Sequence, residues 1–261
     1  MKEGKYAVVT GASSGIGYAL SQEAASRGYN LIIVANQKDR LNAAAERLAA
    51  RYRVTVKCLS LDLSSADELS QLIEQLSPYL EVIEVFINNA GVGRGGSFLG
   101  SDVVDHSVLL DTNVRALMVL SHFIAQHFVR SGKGYLLNVA SLAAFQPGPY
   151  YANYYASKAY VLHFTEALAV ELRKQGVTCA VLCPGTTQTA FHRRAGSADT
   201  GLAKGLFGIV MSPEEVATIG FKGLLSNRVV IIPGLVNKLA MQSVRISPRW
   251  LVRRITAMIN Q

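Results

Sequence analysis

Seven short segments rich in valine, isoleucine and leucine recur along the chain, and longer stretches of helical composition separate them. Strands of a parallel sheet have this nearly continuous apolar character, because helices cover both faces of the sheet. We predict strands over residues 6–9, 30–35, 54–59, 85–88, 134–140, 177–182 and 229–232. The alternation predicts an α/β fold with one doubly wound, seven-stranded parallel sheet and helices on both faces.

The segments between the strands are rich in residues that favour helices. We predict helices over residues 18–27, 39–52, 66–76, 103–130, 152–174 and 213–225. The last of these has a clear start, because Ser212 can cap it, Pro213 fits its first turn and Glu215 completes a capping box. The preceding segment, 186–211, contains four glycines and is expected to be partly helical or a mobile lid.

Positive charge is concentrated at the end of the chain. The net charge is +8, yet the last acidic residue is Glu215. Residues 1–235 hold 21 basic and 18 acidic residues, so nucleic acid is not an expected partner. Five basic residues lie in the final 26, at Lys238, Arg245, Arg249, Arg253 and Arg254.

No linker or repeat divides the sequence, so we expect one domain over residues 1–235. Residues 236–261 are expected to form a basic, amphipathic helical tail, with apolar residues at helical spacing on either side of Pro248. This tail either belongs to the same domain or lies at its periphery. Its composition fits docking on anionic lipid, and it also fits packing on the body of the protein or on a second subunit.

The sequence predicts neither secretion nor a membrane span. The apolar run after Lys5 is too short for a signal peptide, and no stretch approaches the ~18 consecutive apolar residues of a spanning helix. The cysteines at 58, 179 and 183 form no Cys-x-x-Cys pair, which fits a reducing compartment. We expect a cytoplasmic protein, either free or peripheral at a membrane surface. The five histidines lack metal-ligand spacing, so no metal is expected.

A glycine-rich loop directly follows the first strand. It reads Thr-Gly-Ala-Ser-Ser-Gly-Ile-Gly over residues 10–17. Its glycines permit a tight turn, close approach of a pyrophosphate and packing of the next helix on the strand, with the helix N-terminus facing the phosphates. Taken alone, the spacing also fits a purely structural turn. The candidate dinucleotide contacts are Gly11, Ser13, Ser14, Gly15, Ile16 and Gly17.

Tyr154 and Lys158 are four residues apart in a predicted helix and therefore share a face. An ammonium beside a phenol lowers the pKa of the phenol from about 10, which would make Tyr154 a usable acid or base. An unrelated surface pair has the same spacing. Ser141, however, lies thirteen residues earlier at the carboxyl end of the strand 134–140, where open α/β sheets bind their ligands and where a hydroxyl can orient a carbonyl.

Further motifs occur in a fixed order and together resemble the short-chain dehydrogenase/reductase family over residues 4–235. Besides the glycine loop, the matching residues are Asp62-Leu63, Asn88-Asn89-Ala90-Gly91, Asn113, Ser141, Tyr154 with Lys158, and Pro184-Gly185. The resemblance implies a Rossmann-type fold and hydride transfer between a nicotinamide cofactor and a carbonyl or alcohol carbon. It also implies a homodimer or homotetramer.

The resemblance assigns a role to each catalytic candidate. Tyr154 would move the proton of the substrate oxygen, Ser141 would hydrogen-bond that oxygen, and Lys158 would tune Tyr154 and hold the nicotinamide ribose. Asn113 would hold a water through which protons reach Lys158, unless it only bonds nearby backbone. Further cofactor contacts are implied at Asp62, Leu63, Asn89, Ala90, Gly91, Tyr154, Lys158, Pro184, Gly185 and Thr187. Asn88 and Asn89 could equally brace strand ends, and Pro184-Gly185 could simply turn the chain.

The end of the second predicted strand bears on cofactor choice. Enzymes that prefer NAD usually have an acidic residue there, and enzymes that prefer NADP have a basic residue nearby. Residues 34–38 read Val-Ala-Asn-Gln-Lys, with no carboxylate to repel a 2′-phosphate. Asn36 as a hydrogen-bond donor and Lys38 as a point charge favour NADP(H) over NAD(H), although Lys38 also fits a solvated surface residue.

Several apolar residues near the site indicate a hydrophobic substrate, such as a ketone, an aldehyde or a 3-oxoacyl compound. They are Phe145, Phe191, Leu202, Leu206, Phe207 and Ile209, and they could equally pack the lid on the core. Arg193 and Arg194 could meet an anionic substrate or stay solvated. The alternative function is a catalytically silent NAD(P)-binding regulatory protein, which has no need for an activated phenol.

Overall fold

The computed structural model of the chain describes residues 4–191, 195 and 210–261. Seven parallel strands form one sheet, so the predicted fold class is confirmed. The strands are β1 Tyr6–Thr10, β2 Asn30–Ala35, β3 Val56–Ser60, β4 Ile83–Asn88, β5 Gly134–Val139, β6 Val177–Leu182 and β7 Val230–Ile231. Their spatial order is β3-β2-β1-β4-β5-β6-β7.

Helices connect the strands and continue beyond the last one. Within the described ranges the α-helices are α1 Gly15–Ser26, α2 Lys38–Tyr52, α3 Ala66–Leu76, α4 Val103–Leu110, α5 Leu117–Ser131, α6 Ala152–Arg173, α7 Pro213–Leu225, α8 Leu235–Ile246 and α9 Arg249–Asn260. Short 3-10 helices occupy Ser77–Val82 and Leu142–Phe145. The predicted capping box at Ser212 and Glu215 is present at the start of α7.

The core lies on both faces of the sheet, because successive strand residues point to opposite sides. Ala7 and Val9 of β1 belong to the cluster that α1, α2 and α7 cover, whereas Val8 belongs to the cluster under α3, α5 and α6. The fold is therefore three layers deep. Parallel strands need such crossover helices, and each crossover returns the chain to the same edge of the sheet.

Several element boundaries differ from the sequence-based prediction. Helix α1 begins at Gly15, three residues early, because the glycine loop turns directly into the helix. Strand β4 begins at Ile83, and β7 keeps only two of its four predicted residues. The single helix predicted over 103–130 is divided into α4 and α5 by a π-helical turn, Asp111–Ala116.

The strand order reverses direction beside β1. The chain builds β2 and β3 on one side of β1 and then crosses to β4 on the other side. Where neighbouring connections leave in opposite directions, a crevice opens at the carboxyl ends of the strands. This edge of the sheet carries the glycine loop, Asn88 and the residues that follow β5.

The tail packs on the body of the protein through one face of each of its helices. Asn237 and Met241 of α8 are buried, as are Val252, Thr256 and Asn260 of α9. This inward face is mixed in polarity. Of the apolar residues that gave the tail its predicted amphipathic pattern, some are exposed and the rest are half-buried. The exposed ones are Leu239, Trp250, Ile255 and Met258, and the half-buried ones are Val236, Ala240, Val244, Leu251 and Ile259.

Helices α4 and α5 with the π turn between them form a continuous helical segment, Val103–Ser131, that is long and apolar enough to cross a membrane by length and composition alone. Buried core helices also meet that criterion. Leu120, Ile124 and Phe128 of α5 pack in the core cluster that covers the sheet.

Candidate active site

A cleft of about 620 Å³ lies at the carboxyl ends of the strands. It brings together residues from the glycine loop, from the ends of β2, β4, β5 and β6, from α6 and from the tail. Among the predicted site residues, those lining the cleft are Gly11, Ser13, Ser14, Gly15, Ile16, Gly17, Asn36, Asp62, Leu63, Asn89, Ala90, Gly91, Ser141, Tyr154, Lys158, Pro184, Gly185 and Thr187. Lys38 and Asn113 stand outside this lining.

The glycine loop has the shape of a cradle for a phosphate group. Gly11 and Gly15 have φ angles of +66° and +57°, which L side chains rarely adopt. A Cβ atom at Gly17 would lie 2.3 Å from the carbonyl oxygen of Gly11, so only glycine fits there. The first turn of α1 carries no acidic residue, and the Ser14 side chain does not cap it. Its N-terminus therefore fits an anionic group such as a pyrophosphate.

Asn89 braces this loop from the neighbouring strand. The backbone N–H groups of Asn89 and Ala90 both donate to Thr10 Oγ1 at 3.0 Å. Asn89 Nδ2 donates to the carbonyl oxygens of Thr10, at 2.9 Å, and of Gly11, at 3.2 Å. The side chain of Asn89 thus fixes the loop, while the residue also lines the cleft.

Asn88 has a structural setting. Its Nδ2 donates to Ser121 Oγ at 3.1 Å and to Asn138 Oδ1 at 2.9 Å, and the side chain is buried. Asn138 in turn donates to Thr165 Oγ1 at 3.0 Å. This network joins β4, α5, β5 and α6 beneath the cleft, which is the bracing role that the sequence left open for Asn88.

The residues predicted to meet the adenosine half of the cofactor occupy two strand ends. Asn36 and its neighbour Gln37, which the sequence analysis missed, follow β2 and line the cleft. Lys38 begins α2 next to them and is exposed. Asp62 Oδ1 accepts hydrogen bonds from the backbone N–H and the hydroxyl of Ser64, at 2.9 and 2.8 Å, which holds the turn after β3.

Ser141, Tyr154 and Lys158 converge in the part of the cleft that is predicted to hold the nicotinamide. Ser141 follows β5, hydrogen-bonds the phenol of Tyr154 and accepts a hydrogen bond from the backbone N–H of Ala143 at 3.1 Å. Lys158 is buried on α6, where its Nζ donates to the carbonyl oxygen of Val139 at 3.0 Å and lies 5.9 Å from the centre of the Tyr154 ring.

Burial sets the proton affinities of this trio. It raises the pKa of Tyr154 to about 12, while the hydrogen bond to Ser141 acts in the opposite direction. Burial lowers the pKa of Lys158 to about 8. The expectation that the pKa of Tyr154 falls below 10 is not met in this geometry, because desolvation of the phenol outweighs the stabilisation that a nearby ammonium gives its phenolate, and Lys158 Nζ is directed at Val139. Tyr154 is therefore a protonated phenol at neutral pH.

Asn113 lies behind the cleft, in the π-helical turn between α4 and α5. Its Oδ1 accepts from the backbone N–H of Val92 at 2.8 Å, and its Nδ2 donates to the carbonyl oxygen of Val92 at 2.9 Å and to Ser157 Oγ at 3.1 Å. A Cβ atom at Gly91 would lie 3.2 Å from both Asn113 Oδ1 and Lys158 Nζ. Asn113 thus positions the loop after β4 beside Lys158, and its role in a water relay stays a prediction.

The substrate side of the cleft includes residues that the sequence analysis missed. They are Asn237, Met241, Thr256 and Ile259 of the tail. Gln146 and Tyr151, from the loop 145–151 where substrate contacts were expected, line the cleft as well. The polar residues Thr256 and Asn260 recur four residues apart in the otherwise basic and apolar α9. That spacing is the signal by which the inward face could have been found.

Of the apolar residues predicted at the substrate site, Phe191 lines the cleft, with its ring centre 5.5 Å from that of Tyr154. Phe145 packs against a core cluster instead. Leu202, Leu206, Phe207, Ile209, Arg193 and Arg194 lie outside the described residues. In the part of the chain that the structure describes, no group of three His, Cys, Asp or Glu residues could hold a metal ion.

Comparisons with known proteins agree with this geometry. A family model described as short chain dehydrogenase matches residues 5–200. The 3-oxoacyl-[acyl-carrier-protein] reductase of Aquifex aeolicus is 28% identical over 222 residues, which cover 83% of this chain and 88% of that protein.

Two solved structures are similar over most of their length. A short-chain dehydrogenase from Sphingobium yanoikuyae in complex with NADPH is 32% identical, with a TM-score of 0.82 and coverage of 92% of this chain and 93% of that chain. The bulky-bulky ketone specific alcohol dehydrogenase from Comamonas testosteroni is 29% identical, with a TM-score of 0.78 and coverage of 94% and 95%.

The family match spans most of the chain, so this protein belongs to the short-chain dehydrogenase/reductase family, as the motifs predicted. It is an oxidoreductase that acts on CH–OH or C=O groups with a nicotinamide cofactor.

Proposed function

We propose that this enzyme uses NADPH to reduce a hydrophobic ketone, aldehyde or 3-oxoacyl compound. The observation that carries the proposal is the phenol of Tyr154, which is half-buried in the wall of the cleft beside Ser141. Reduction of a carbonyl consumes one proton at oxygen and one hydride at carbon. With its pKa raised to about 12, the Tyr154 phenol holds its proton at neutral pH and is therefore suited to donate it.

Ser141, Tyr154 and Lys158 have separate roles in this reaction. A carbonyl oxygen placed between the hydroxyls of Ser141 and Tyr154 accepts a hydrogen bond from each, which polarises the carbonyl carbon. A bound nicotinamide cofactor supplies the hydride to that carbon. As negative charge develops on oxygen, Tyr154 transfers its proton, and the nearby ammonium of Lys158 stabilises the phenolate that forms.

The lining supports an apolar substrate. Phe191, Met241 and Ile259 face the cleft together with Tyr151 and Val108. Such a pocket gains free energy by removing apolar surface from water, and the two hydroxyls orient the carbonyl within it. The names of two relatives, a bulky-ketone alcohol dehydrogenase and a 3-oxoacyl reductase, describe substrates of this type for those proteins.

The end of β2 supports NADPH as the reductant. Asn36 and Gln37 offer amide donors at the cleft, and Lys38 adds a positive charge at the start of α2. Residues 34–38 contain no carboxylate that would repel a 2′-phosphate. The Sphingobium yanoikuyae relative was solved with NADPH.

The test is a panel of aliphatic and aromatic ketones, aldehydes and 3-oxoacyl thioesters, assayed by the absorbance of NADPH and, in parallel, of NADH. We expect turnover of apolar carbonyls with a higher kcat/KM for NADPH. Ser141→Ala should lower kcat by about 100-fold or more, since it removes a donor to the reacting oxygen. Ser70→Ala is the matched control, because Ser70 lies on α3 and its hydroxyl bonds only the backbone of Ala66.

Two results would reject the proposal. One is tight binding of NADPH without turnover of any carbonyl in the panel, which would favour a silent nucleotide-binding protein. The other is turnover that Ser141→Ala leaves unchanged, which would remove the described trio from the chemistry.

A further inference from the structure

The two helices of the tail place apolar side chains in solvent. In α8, Leu235, Leu239 and Ile246 recur at spacings of four and seven residues and so share one face. Leu235 is 71% exposed and Ile246 is 87% exposed. The opposite face holds Asn237 and Met241, which line the cleft. The outer face of α8 thus exposes large apolar side chains to solvent.

Helix α9 also exposes apolar side chains on its outer face. Val252, Thr256 and Asn260 recur every four residues and are buried. Trp250 and Met258 lie on the outer face, where Met258 is 66% exposed. The exposed side chains of the two helices come close together in sequence. Ile246 ends the exposed face of α8 and Trp250 begins that of α9, on either side of Pro248.

Basic residues border this apolar surface. Lys238 and Arg245 lie beside the exposed face of α8, and both are exposed. Arg253 and Arg254 of α9 are exposed as well, and Arg254 lies on the same face as Trp250 and Met258 because it is midway between them in sequence. The tail contains no acidic residue. We call the outer faces of α8 and α9, residues 235–258, the tail surface.

Charge decides which occupant fits the tail surface. A second copy of this chain docking symmetrically would bring the same basic patch against itself, with no acidic residue in either tail to pair with it. An anionic bilayer offers the opposite charge at its surface and an apolar layer just below. Interfacial helices with Lys and Arg beside Trp, Leu and Ile bind in this way.

We propose that the tail surface docks the enzyme on an anionic lipid bilayer. The inner faces of the same helices line the cleft, so docking places the tail between the bilayer and the substrate site. Docking itself is independent of the proposed activity, since it needs neither cofactor nor turnover.

The test is sedimentation of the full chain with vesicles of phosphatidylcholine, with and without phosphatidylserine. We expect binding to the vesicles that contain phosphatidylserine, weakened by salt, and little binding to pure phosphatidylcholine. The charge variant is Arg245→Gln with Arg253→Gln and Arg254→Gln. Each basic residue near an anionic surface changes binding about fivefold, so the variant should bind about 100-fold more weakly.

The matched control removes three exposed basic residues from the opposite end of the sheet, by Lys133→Gln, Arg173→Gln and Lys174→Gln. It carries the same net charge as the charge variant and should bind as the wild type does. An apolar variant, Ile246→Ser with Trp250→Ser and Met258→Ser, should also lose binding. Because all of these side chains are exposed, circular dichroism should show unchanged folding.

Either of two outcomes overturns the proposal. The first is absence of wild-type binding to phosphatidylserine vesicles, and light scattering that shows a dimer lost in the apolar variant would then assign the tail surface to a second copy. The second is a control that loses as much binding as the charge variant, which would mean that net charge alone attracts the protein.

Discussion

The hydroxyl of Tyr155 donates to Oδ1 of Asn260 at 3.1 Å, across 105 positions of sequence. Asn260 also donates through Nδ2 to the carbonyl oxygen of Pro149 at 2.7 Å. Tyr155 follows Tyr154 directly on α6, so the last helix is fastened next to the proton donor. The tail is therefore a wall of the active site on its inner side, whatever binds its outer side.

Removing the two hydrogen bonds of Asn260 should weaken substrate binding and lower the stability of the fold. Asn260→Ala leaves the Tyr155 hydroxyl and the Pro149 carbonyl without these partners, which should cost about 1–3 kcal/mol of unfolding free energy. We expect a several-fold increase in KM for the carbonyl substrate, measured by steady-state kinetics, and a lower urea midpoint. Tyr155→Phe removes only one of the two bonds and should have a smaller effect. An Asn260→Ala enzyme with unchanged KM would show that the tail does not shape the substrate site.

A carboxylate at the end of β2 should change cofactor preference. Asn36→Asp places a negative charge where we propose that the 2′-phosphate binds, so kcat/KM for NADPH should fall about tenfold or more while that for NADH is kept or rises. Asn42→Asp adds the same charge at an exposed position of α2 and serves as the control. If Asn36→Asp lowered kcat/KM equally for NADPH and NADH, this would contradict the proposed site for the 2′-phosphate.

The buried Lys158 should lower the unfolding free energy of the protein, although the reaction needs its charge. Burial lowers its pKa from 10.5 to about 8, so at neutral pH the folded protein holds a charge that the unfolded chain solvates better. Lys158→Met should abolish most activity and raise the unfolding free energy at neutral pH by about 1–3 kcal/mol. Urea denaturation measures this, with Lys174→Met as the exposed control.

The sign of this effect depends on pH. Between about pH 8 and 10.5 the unfolded chain holds a proton on Lys158 that the folded protein has released, so wild-type stability gains from rising pH in that window. The excess stability of Lys158→Met over the wild type should therefore shrink as the pH rises through this window. A variant that is less stable than the wild type at neutral pH would contradict the burial cost.

Activity should follow the charge of Lys158. In the direction of reduction, kcat/KM for NADPH at saturating carbonyl should fall as the pH rises through about 8, because the ammonium that stabilises the Tyr154 phenolate loses its proton. The pKa of Tyr154 is raised to about 12, so ionisation of its phenol should add no second transition to this profile below pH 12. A profile that stays level well above pH 8 would show that Lys158 keeps its charge in the working enzyme.

Much of the fold was predictable because it depends on local patterns. Buried parallel strands such as β2 are apolar along nearly their whole length. The motifs after β1, β4 and β5 meet at one edge of the sheet, because parallel strands end there together. Spacing was enough to place Tyr154 and Lys158 on one face of α6.

Other features depended on tertiary packing and were not predictable. The proton affinity of Tyr154 follows from its burial, which Lys158 does not offset in this geometry. The inward face of α9 combines the polar Thr256 and Asn260 with the apolar Val252 and Ile259, so apolar periodicity alone does not find it. The π turn that carries Asn113 has no local sequence signal that separates it from the helix around it.

The central claim is that Tyr154 donates the proton in carbonyl reduction, and single-turnover oxidation of NADPH by Tyr154→Phe tests it most directly. The substitution removes one oxygen from the cleft, so cofactor binding should be kept while the rate falls about 100- to 10,000-fold. Tyr160→Phe, at a partly exposed site on the same helix, should react at the wild-type rate. A Tyr154→Phe enzyme that oxidises NADPH as fast as the wild type would contradict the account.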